Sequence, residues 1–264
     1  MPTLVLPPRY THDTNLIRKA AIRAGWTVER LPNWRVPERL QDQDIVIYGE
    51  PLFAAAVADA LGLALIEPAF DWLTTLPIQW LQRQVQFTTL ATARHSGRAF
   101  IKPADDKCFV AQVYESGAEL PDGTILPDVT PVLISDPVHW AVEFRCFIRE
   151  RQLISLSPYF RNGQLCQAED GSWPATEDER HHATRFINAL LADPLVKLPP
   201  AVVIDIGIIA NVGWAVIEAN PAWGSGIYGC DPDLVLAVLQ RTCHPLTAVP
   251  QEDAQWLPTR VVSS

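Results

Sequence analysis

The chain reads as a mixed protein, α/β over its first quarter and α+β around an antiparallel sheet over the remainder. Three observations carry this. Residues 3 to 67 alternate short apolar runs with helical patterns, "TLVL", "NLIRKAAIRAG", "TVERL", "DIVIYG", "PLFAAAVADALG" and "LALIE". Gly25 and Gly62 follow the two helices, the punctuation of βαβ units on a small parallel sheet. From Phe87 onward the texture becomes short β-rich runs, "RAFIKP", "TPVLIS", "AVEFRCFIRE", "QLISLSPYF", "AVVIDIGII" and "GWAVIEAN". A single long helix interrupts them, opened by Thr176 as N-cap with Glu179 three residues on as a capping box.

Between the two textures, Trp72, Leu73, Leu76, Trp80 and Leu81 recur at helical spacing around Pro77, which predicts a packing bridge between the halves. Residues after Pro250 read as a loosely attached tail. The boundaries expected are 1–78, 79–250 and 251–264.

Of 264 residues, 48% are hydrophobic and 19% charged, the balance of a globular protein able to bury a core. Lys plus Arg number 21 against 30 Asp plus Glu, a net charge of -9 that opposes nonspecific binding to nucleic acid or anionic membranes. The start of the chain has no charged n-region, and the longest near-apolar stretch carries Asp59 and falls short of the ~20 residues of a membrane span. The five cysteines show no CxxC pair, so small buried thiols in a reducing cytoplasm are expected. The first unit has neither GxGxxG nor GxxxxGK[ST], which argues against a dinucleotide site or a P-loop there. His139, His181 and His182 lack zinc-ligand spacing and receive no chemical role.

Chemistry concentrates at "AVVIDIGII" and "GWAVIEAN", joined by Ala210, Asn211, Val212 and Gly213, an Asn and Gly turn that predicts a hairpin. With a loop of two or four residues, Asp205 lies opposite Glu218, their Cβ atoms ~5 Å apart, with Asn220 on the same face. Like charges so opposed call for a cation, and carboxylate and amide oxygens are donors that magnesium prefers. A three-residue loop instead slips the register by one and turns the two carboxylates to opposite faces.

Two further stretches bear charge. "AFIKPADDKCF" places Lys102 at the end of an apolar strand and Lys107 beyond a polar turn, either as ligands for phosphate oxygens or as solvent-facing amines. On "WAVEFRCFIRE", Glu143 and Arg145 share a face with Phe147, opposite Val142, Phe144, Cys146 and Ile148. They form an ion pair there, or they serve a ribose hydroxyl and a phosphoryl oxygen.

In order, "FIKP", the E-x-R strand "EFRCFI", "VVIDIGI" and "IEANP" resemble the ATP-grasp superfamily over residues ~80 to 230. "KPADDK" and "EANPAWGSG" are similar to its R-two-K clade. The resemblance implies an ATP-grasp fold, in which an N-terminal Rossmann-like (pre-ATP-grasp) α/β domain precedes two α+β subdomains that sandwich ATP. It implies Lys102 on phosphate oxygens and Lys107 in a phosphate-covering loop. Backbone groups near Ile134 and Ser135 would read adenine, and Glu143 and Arg145 would contact ribose or phosphate. Asp205, Glu218 and Asn220 become Mg2+ ligands, and the acceptor falls at the loop of Trp223, Gly224, Ser225 and Gly226. The covering loop lacks the family's glycines, and Arg83 is the basic residue nearest the position of a lysine this chain does not have. The implied activity is an ADP-forming carboxylate-amine ligase acting on small-molecule or peptide substrates, with Arg145, Lys102 and Lys107 as its catalytic residues. A nucleotide-binding sensor or scaffold, and a phosphotransferase, remain as alternatives.

Overall fold

The computed structural model describes residues 1–104 and 107–258. Asp105 and Asp106 of the expected covering loop, and the last six residues of the expected tail, lie outside the described residues.

The first unit is the parallel sheet foreseen. Strands β1 (Thr3–Leu6), β2 (Thr27–Arg30) and β3 (Ile45–Ile47) run in the order β2-β1-β3. Helix α1 (His12–Arg23) links the first two, its N-terminus closed by a capping box between Thr11 and Thr14. Helix α2 (Pro51–Ala60) follows β3 with proline in its first turn. Gly25 and Gly62 take positive φ just past the two helices, as their spacing predicts. Strand β4 (Leu63–Leu65) follows but stands outside this sheet.

Helix α3 (Ile78–Leu81) leads into an antiparallel sheet of β5 (Val85–Thr89), β6 (Ala99–Pro103), β7 (Gln112–Tyr114) and β8 (Pro131–Ser135), with the short helix α4 (Leu90–Ala93) after β5. Their order is β5-β8-β6-β7, so β8 is paired on both sides. A five-stranded antiparallel sheet comes next. It contains β9 (Trp140–Arg149), β10 (Gln152–Arg161), β11 (Gln164–Leu165), β12 (Ala201–Ile209) and β13 (Gly213–Asn220), ordered β11-β10-β9-β12-β13. Helix α5 (Glu177–Ala192) opens on the predicted box, Glu179 N donating to Thr176 Oγ1 at 3.1 Å and Thr176 N to Glu179 Oε2 at 2.8 Å. The chain closes with α6 (Pro232–Leu239) and β14 (Cys243–Pro245).

β14 returns to pair antiparallel with β4, which is why "LALIE" does not extend the parallel sheet. The tail is likewise better attached than its sequence suggests. Trp256 and Asp253 are buried, Trp256 sits in the main core, and its carbonyl accepts from Glu67 N at 3.0 Å. An indole is large enough to anchor a segment that otherwise reads as polar punctuation.

The five-stranded sheet is covered on both faces, as the alternation on β9 demands. Val142, Phe144, Cys146 and Ile148 pack with Val202, Ile204, Ile206 and α5. Trp72, Leu73, Leu76 and Leu81 join that core, the bridge their spacing predicts. On the other face Phe147, Ala201 and Val203 pack against Leu4, Leu6, Ile17 and α6, seating the first unit on the sheet. Phe144 and Phe147 are both fully buried, each contributing roughly 1.5–3 kcal/mol of transfer free energy.

The hairpin of β12 and β13 departs from the two-residue loop while keeping its consequence. Ile209 pairs with Gly213, leaving a three-residue loop in which Asn211 takes a φ of 62°. That register alone would separate the carboxylates. A β-bulge intervenes: Ile206 pairs with Val216, but Asp205 pairs with Glu218, so Ile217 is an extra residue. The bulge undoes the slip made by the loop, and the two acids face each other after all.

Candidate functional site

Each charged group of the site stands on a strand. Arg145 (β9) and Asp205 (β12) are direct cross-strand partners. The guanidinium grips the carboxylate bidentately, Nε to Oδ1 at 2.9 Å and Nη2 to Oδ2 at 2.6 Å. Its remaining nitrogen, Nη1, donates to the Gly226 carbonyl at 2.9 Å. Arg145 is 7% exposed and Asp205 fully buried. Burial alone would lower the Arg145 pKa, but the adjoining Asp205 carboxylate outweighs it and holds the guanidinium charged. Tyr159 and Tyr228 stack with one another at 4.9 Å, and the Arg145 guanidinium lies 5.3 and 4.8 Å from their rings.

Glu143 is therefore not the partner of Arg145. Its carboxylate accepts from the Tyr159 hydroxyl at 2.8 Å, and burial raises its pKa despite that bond. It keeps the face that the strand alternation predicts, with Gly207 opposite on β12.

Lys102, at the end of β6, reaches across to Glu218 on β13 and forms an ion pair that joins the two sheets. Asn220 Nδ2 donates to the other Glu218 oxygen at 2.9 Å. Burial opposes ionisation of Glu218, but Lys102 and these hydrogen bonds prevail and hold its carboxyl at about 2. Asp205 faces Glu218 across the β12–β13 pair, with Asn220 two residues on, but both Asp205 oxygens are taken by Arg145, Asp205 is fully buried, and the cavity lined by Glu218 and Asn220 does not include it. Carboxylate and amide oxygens are the donors a hard divalent cation takes. Among the described residues no group of three His, Cys, Asp or Glu converges on a metal position. A cation here would need Glu218, the Asn220 amide oxygen and oxygens brought by a ligand, with Asp205 joining them once released by Arg145.

The other predicted residues divide. Lys107 is exposed in the segment between β6 and β7. Ile134 and Ser135 lie within β8, paired to Gln86 and Val85 on one side and to Ile101 and Phe100 on the other. Arg83, 8% exposed, sends Nη1 to the carbonyls of Leu81 (3.0 Å) and Val216 (2.7 Å) and Nη2 to that of Ile217 (3.1 Å). It also lies over the Trp140 ring at 5.0 Å, and burial lowers its pKa to about 10. Arg83 therefore clamps α3 to the bulged strand β13, a structural task its sequence position did not disclose.

The loop expected to meet an acceptor is anchored to the first unit. Trp223 is 3% exposed and donates to the Ile66 carbonyl at 3.0 Å, while Tyr48 Oη donates to the Ser225 carbonyl at 2.9 Å. Asp13 accepts from Ile227 N at 3.0 Å, just past Gly226. Trp223 still lines a cavity that also contains Lys102, Glu218 and Asn220, whereas Gly224, Ser225 and Gly226 do not line it. Sequence reasoning missed Asp13, Tyr159, Tyr228 and Glu67. The last could have been found by the rule that found Glu218, a carboxylate ending an apolar strand. No described helix is long and apolar enough to cross a membrane.

A family model described as an ATP-grasp domain of the R-two-K clade, family 2, matches residues 80–238. No curated protein matches the sequence. Among solved structures, the D-cycloserine synthetase DcsG superposes with a TM-score of 0.55 at 14% identity, covering 90% of this chain and 98% of its own. The ATP-grasp ligase PsnB complexed with a minimal precursor gives 0.50 at 16%, covering 91% and 99%. A RimK domain ATP-grasp protein from Sphaerobacter thermophilus gives 0.51 at 13%, covering 89% and 100%. At such identities the likeness is one of fold.

Proposed function

The chain belongs to family 2 of the R-two-K clade of ATP-grasp domains, and from that premise we infer an ATP- and Mg2+-dependent ligase joining a carboxylate to an amine through an acylphosphate. The observation that carries the reading is the β12–β13 hairpin, whose bulge sets Asp205 opposite Glu218 with Lys102 arriving from the facing sheet. Three structural neighbours are described as an ATP-grasp ligase, a synthetase and a D-alanine–D-alanine ligase, which supports ligation over other uses of the fold.

Phosphoryl transfer asks a protein for position and charge neutralisation more than for a covalent nucleophile. Lys102 suits the phosphate oxygens, exchanging Glu218 for them, and Lys107 suits the same oxygens from the covering segment. Ile134 and Ser135 are paired on both sides, so the main chain of the link just after them suits the adenine edge, and Glu143 the ribose. Asp205, Glu218 and Asn220 would hold Mg2+, which when bound offsets phosphate charge. The substrate carboxylate then attacks the γ-phosphorus in line, ADP leaves, and the amine displaces phosphate from the acyl carbon. Arg145 orients Asp205 through two hydrogen bonds and, still charged, favours anionic groups nearby. Arg83, spent on carbonyls, is left out.

The test is release of ADP and phosphate by the purified protein with Mg-ATP, against amino acids and short peptides, with mass spectrometry of the mixture. An amide product lost in Glu218→Ala supports the ligase. A phosphorylated product would make the protein a phosphotransferase, and Mg-ATP binding without turnover under every acceptor would make it a binding module.

A further inference from the structure

Glu67 lies where β4 ends, held by its own main chain, since its N–H donates to the Trp256 carbonyl at 3.0 Å and its neighbours Ile66 and Pro68 are buried. No described residue donates a hydrogen bond to its carboxylate. Glu67 lines two cavities at once. One contains Lys102, Glu218, Asn220 and Trp223. The other is walled by Phe70, Phe87, Val129, Pro131 and Leu257, with Asp71 at its edge and no lysine or arginine among its described residues. The segment from Glu67 to Phe70 is common to both. Phe70, Phe87 and Val129 are 37%, 38% and 78% exposed, an apolar surface turned to solvent beside a carboxylate.

We propose that this second cavity receives the amine substrate, an ammonium carried beside an apolar side group, as in a hydrophobic amino acid or a peptide beginning with one. Glu67 takes the ammonium, and the side group lies against Phe70, Phe87 and Val129. The assignment rests on the ligase reading for its chemistry and on charge complementarity for its occupant. An anionic or neutral apolar molecule would meet an unpaired carboxylate and Asp71, whereas a cation offsets both. Burial pushes the Glu67 carboxyl up to about 7, where it can take up a proton near neutral pH. In the step itself one ammonium proton passes to Glu67, and the freed nitrogen lone pair forms the C–N bond to the acyl carbon. The C–O bond to phosphate breaks, its electron pair leaving with phosphate, which takes the second proton that the nitrogen loses on becoming an amide.

The experiment titrates the full chain by calorimetry with phenethylamine, its alcohol analogue 2-phenylethanol and 3-phenylpropionate, and separately with Mg-ATP. The expected result is preference for phenethylamine, weakened at least tenfold in Glu67→Gln and also in Val129→Arg, a change at an exposed position. Mg-ATP affinity should stay unchanged in Val129→Arg, a residue that lines the second cavity and not the first. Equal binding of the three probes, no binding of phenethylamine, or full binding retained in Glu67→Gln would each overturn the assignment. Failure of Mg-ATP to bind the unaltered chain would overturn the ligase reading instead, so the two failures are distinguishable.

Discussion

Replacing Arg145 with methionine isolates the cost of the buried acid at the centre of the site. Arg145→Met leaves the fully buried Asp205 carboxylate without the two hydrogen bonds it now accepts. Breaking a buried pair by removing one partner costs about 3–5 kcal/mol. The orphaned Gly226 carbonyl adds ~1 kcal/mol or more. At about 2–4 °C per kcal/mol for a chain of this size, the melting temperature should fall on the order of 10 °C. The pH dependence has a definite sign. Burial already raises the Asp205 pKa in the intact protein, against the opposing pull of Arg145, and losing Arg145 raises it further. A carboxyl whose folded pKa exceeds its unfolded value of ~3.9 stabilises the fold while protonated, and that contribution is lost as pH rises through the interval between the two. The deficit of the variant against the unaltered protein is therefore smaller near pH 4 than near pH 7.5. Arg145→Met/Asp205→Leu should recover most of the loss, because the buried charge goes with its partner. Urea or thermal unfolding followed by circular dichroism at both pH values measures all three. A single variant losing under ~1 kcal/mol at pH 7.5, or a double variant no better than the single, would refute the account of a costly, compensated charge.

Lys102→Met should raise the Glu218 carboxyl from about 2 toward ordinary values, read by carbon-detected NMR titration. The same change should cut ATP turnover by roughly 10²-fold or more, as expected for a cation aimed at developing phosphate charge. Arg83→Met should lower stability by about 2–4 kcal/mol in urea unfolding, since three carbonyls lose a charged donor. Affinity for Mg-ATP, measured by calorimetry, should hardly change if Arg83 is a clamp. Gly207→Ala should destabilise by roughly 1–3 kcal/mol in a thermal melt. Its Cβ would stand 2.7 Å from the Val142 carbonyl and 2.9 Å from the Trp140 ring, and backbone cannot retreat as a flexible side chain would.

Much of the architecture was readable because the relevant signals are local. Glycines at helix ends, a capping box at Thr176 and strict alternation on β9 depend on neighbours within a few residues, and each has its expected structural consequence. The site was readable only in part, for a geometric reason. Facing Asp205 to Glu218 by counting assumed a regular ladder, whereas the chain reaches that pairing through a three-residue loop and a compensating bulge. A bulge has no composition of its own, and "AVIEAN" alternates no differently with or without one. The partner of Arg145 was unreadable for another reason. β12 enters the sheet beside β9 with β10, β11 and α5 intervening in sequence, so the Arg145–Asp205 pair is a non-local event. Trp256 and β14 escape the reading likewise, since nothing within residues 243–258 announces a return to β4. Arg83 looked like a free basic group because a side chain spent on carbonyls of a distant strand has the same sequence as one spent on phosphate.

The face of the sheet that bears Arg145 explains why the first unit belongs to the site although it supplies no predicted ligand. Along β9 the same face is apolar at Phe147, where Leu4, Leu6 and α6 press against it, and charged at Arg145 and Glu143. Moving the apolar end would move the charged one, because both sit on a single strand. Three hydrogen bonds fix the joint further: Trp223 to Ile66, Tyr48 to Ser225, and the Ile227 amide to Asp13. Gly226, between the last two of these, also receives the third nitrogen of Arg145. The path from Glu67 to Asp205 thus runs through buried indole, tyrosine and guanidinium contacts, on strands and short anchored turns. Preorganisation of that kind holds catalytic groups to within fractions of an ångström, which a linker of exposed loop cannot do. An amine positioned between Glu67 and the sheet of β5 and β8, and an acyl group activated at the hairpin, would meet across a rigid frame, with Lys107, exposed between β6 and β7, left to approach the phosphates from outside it.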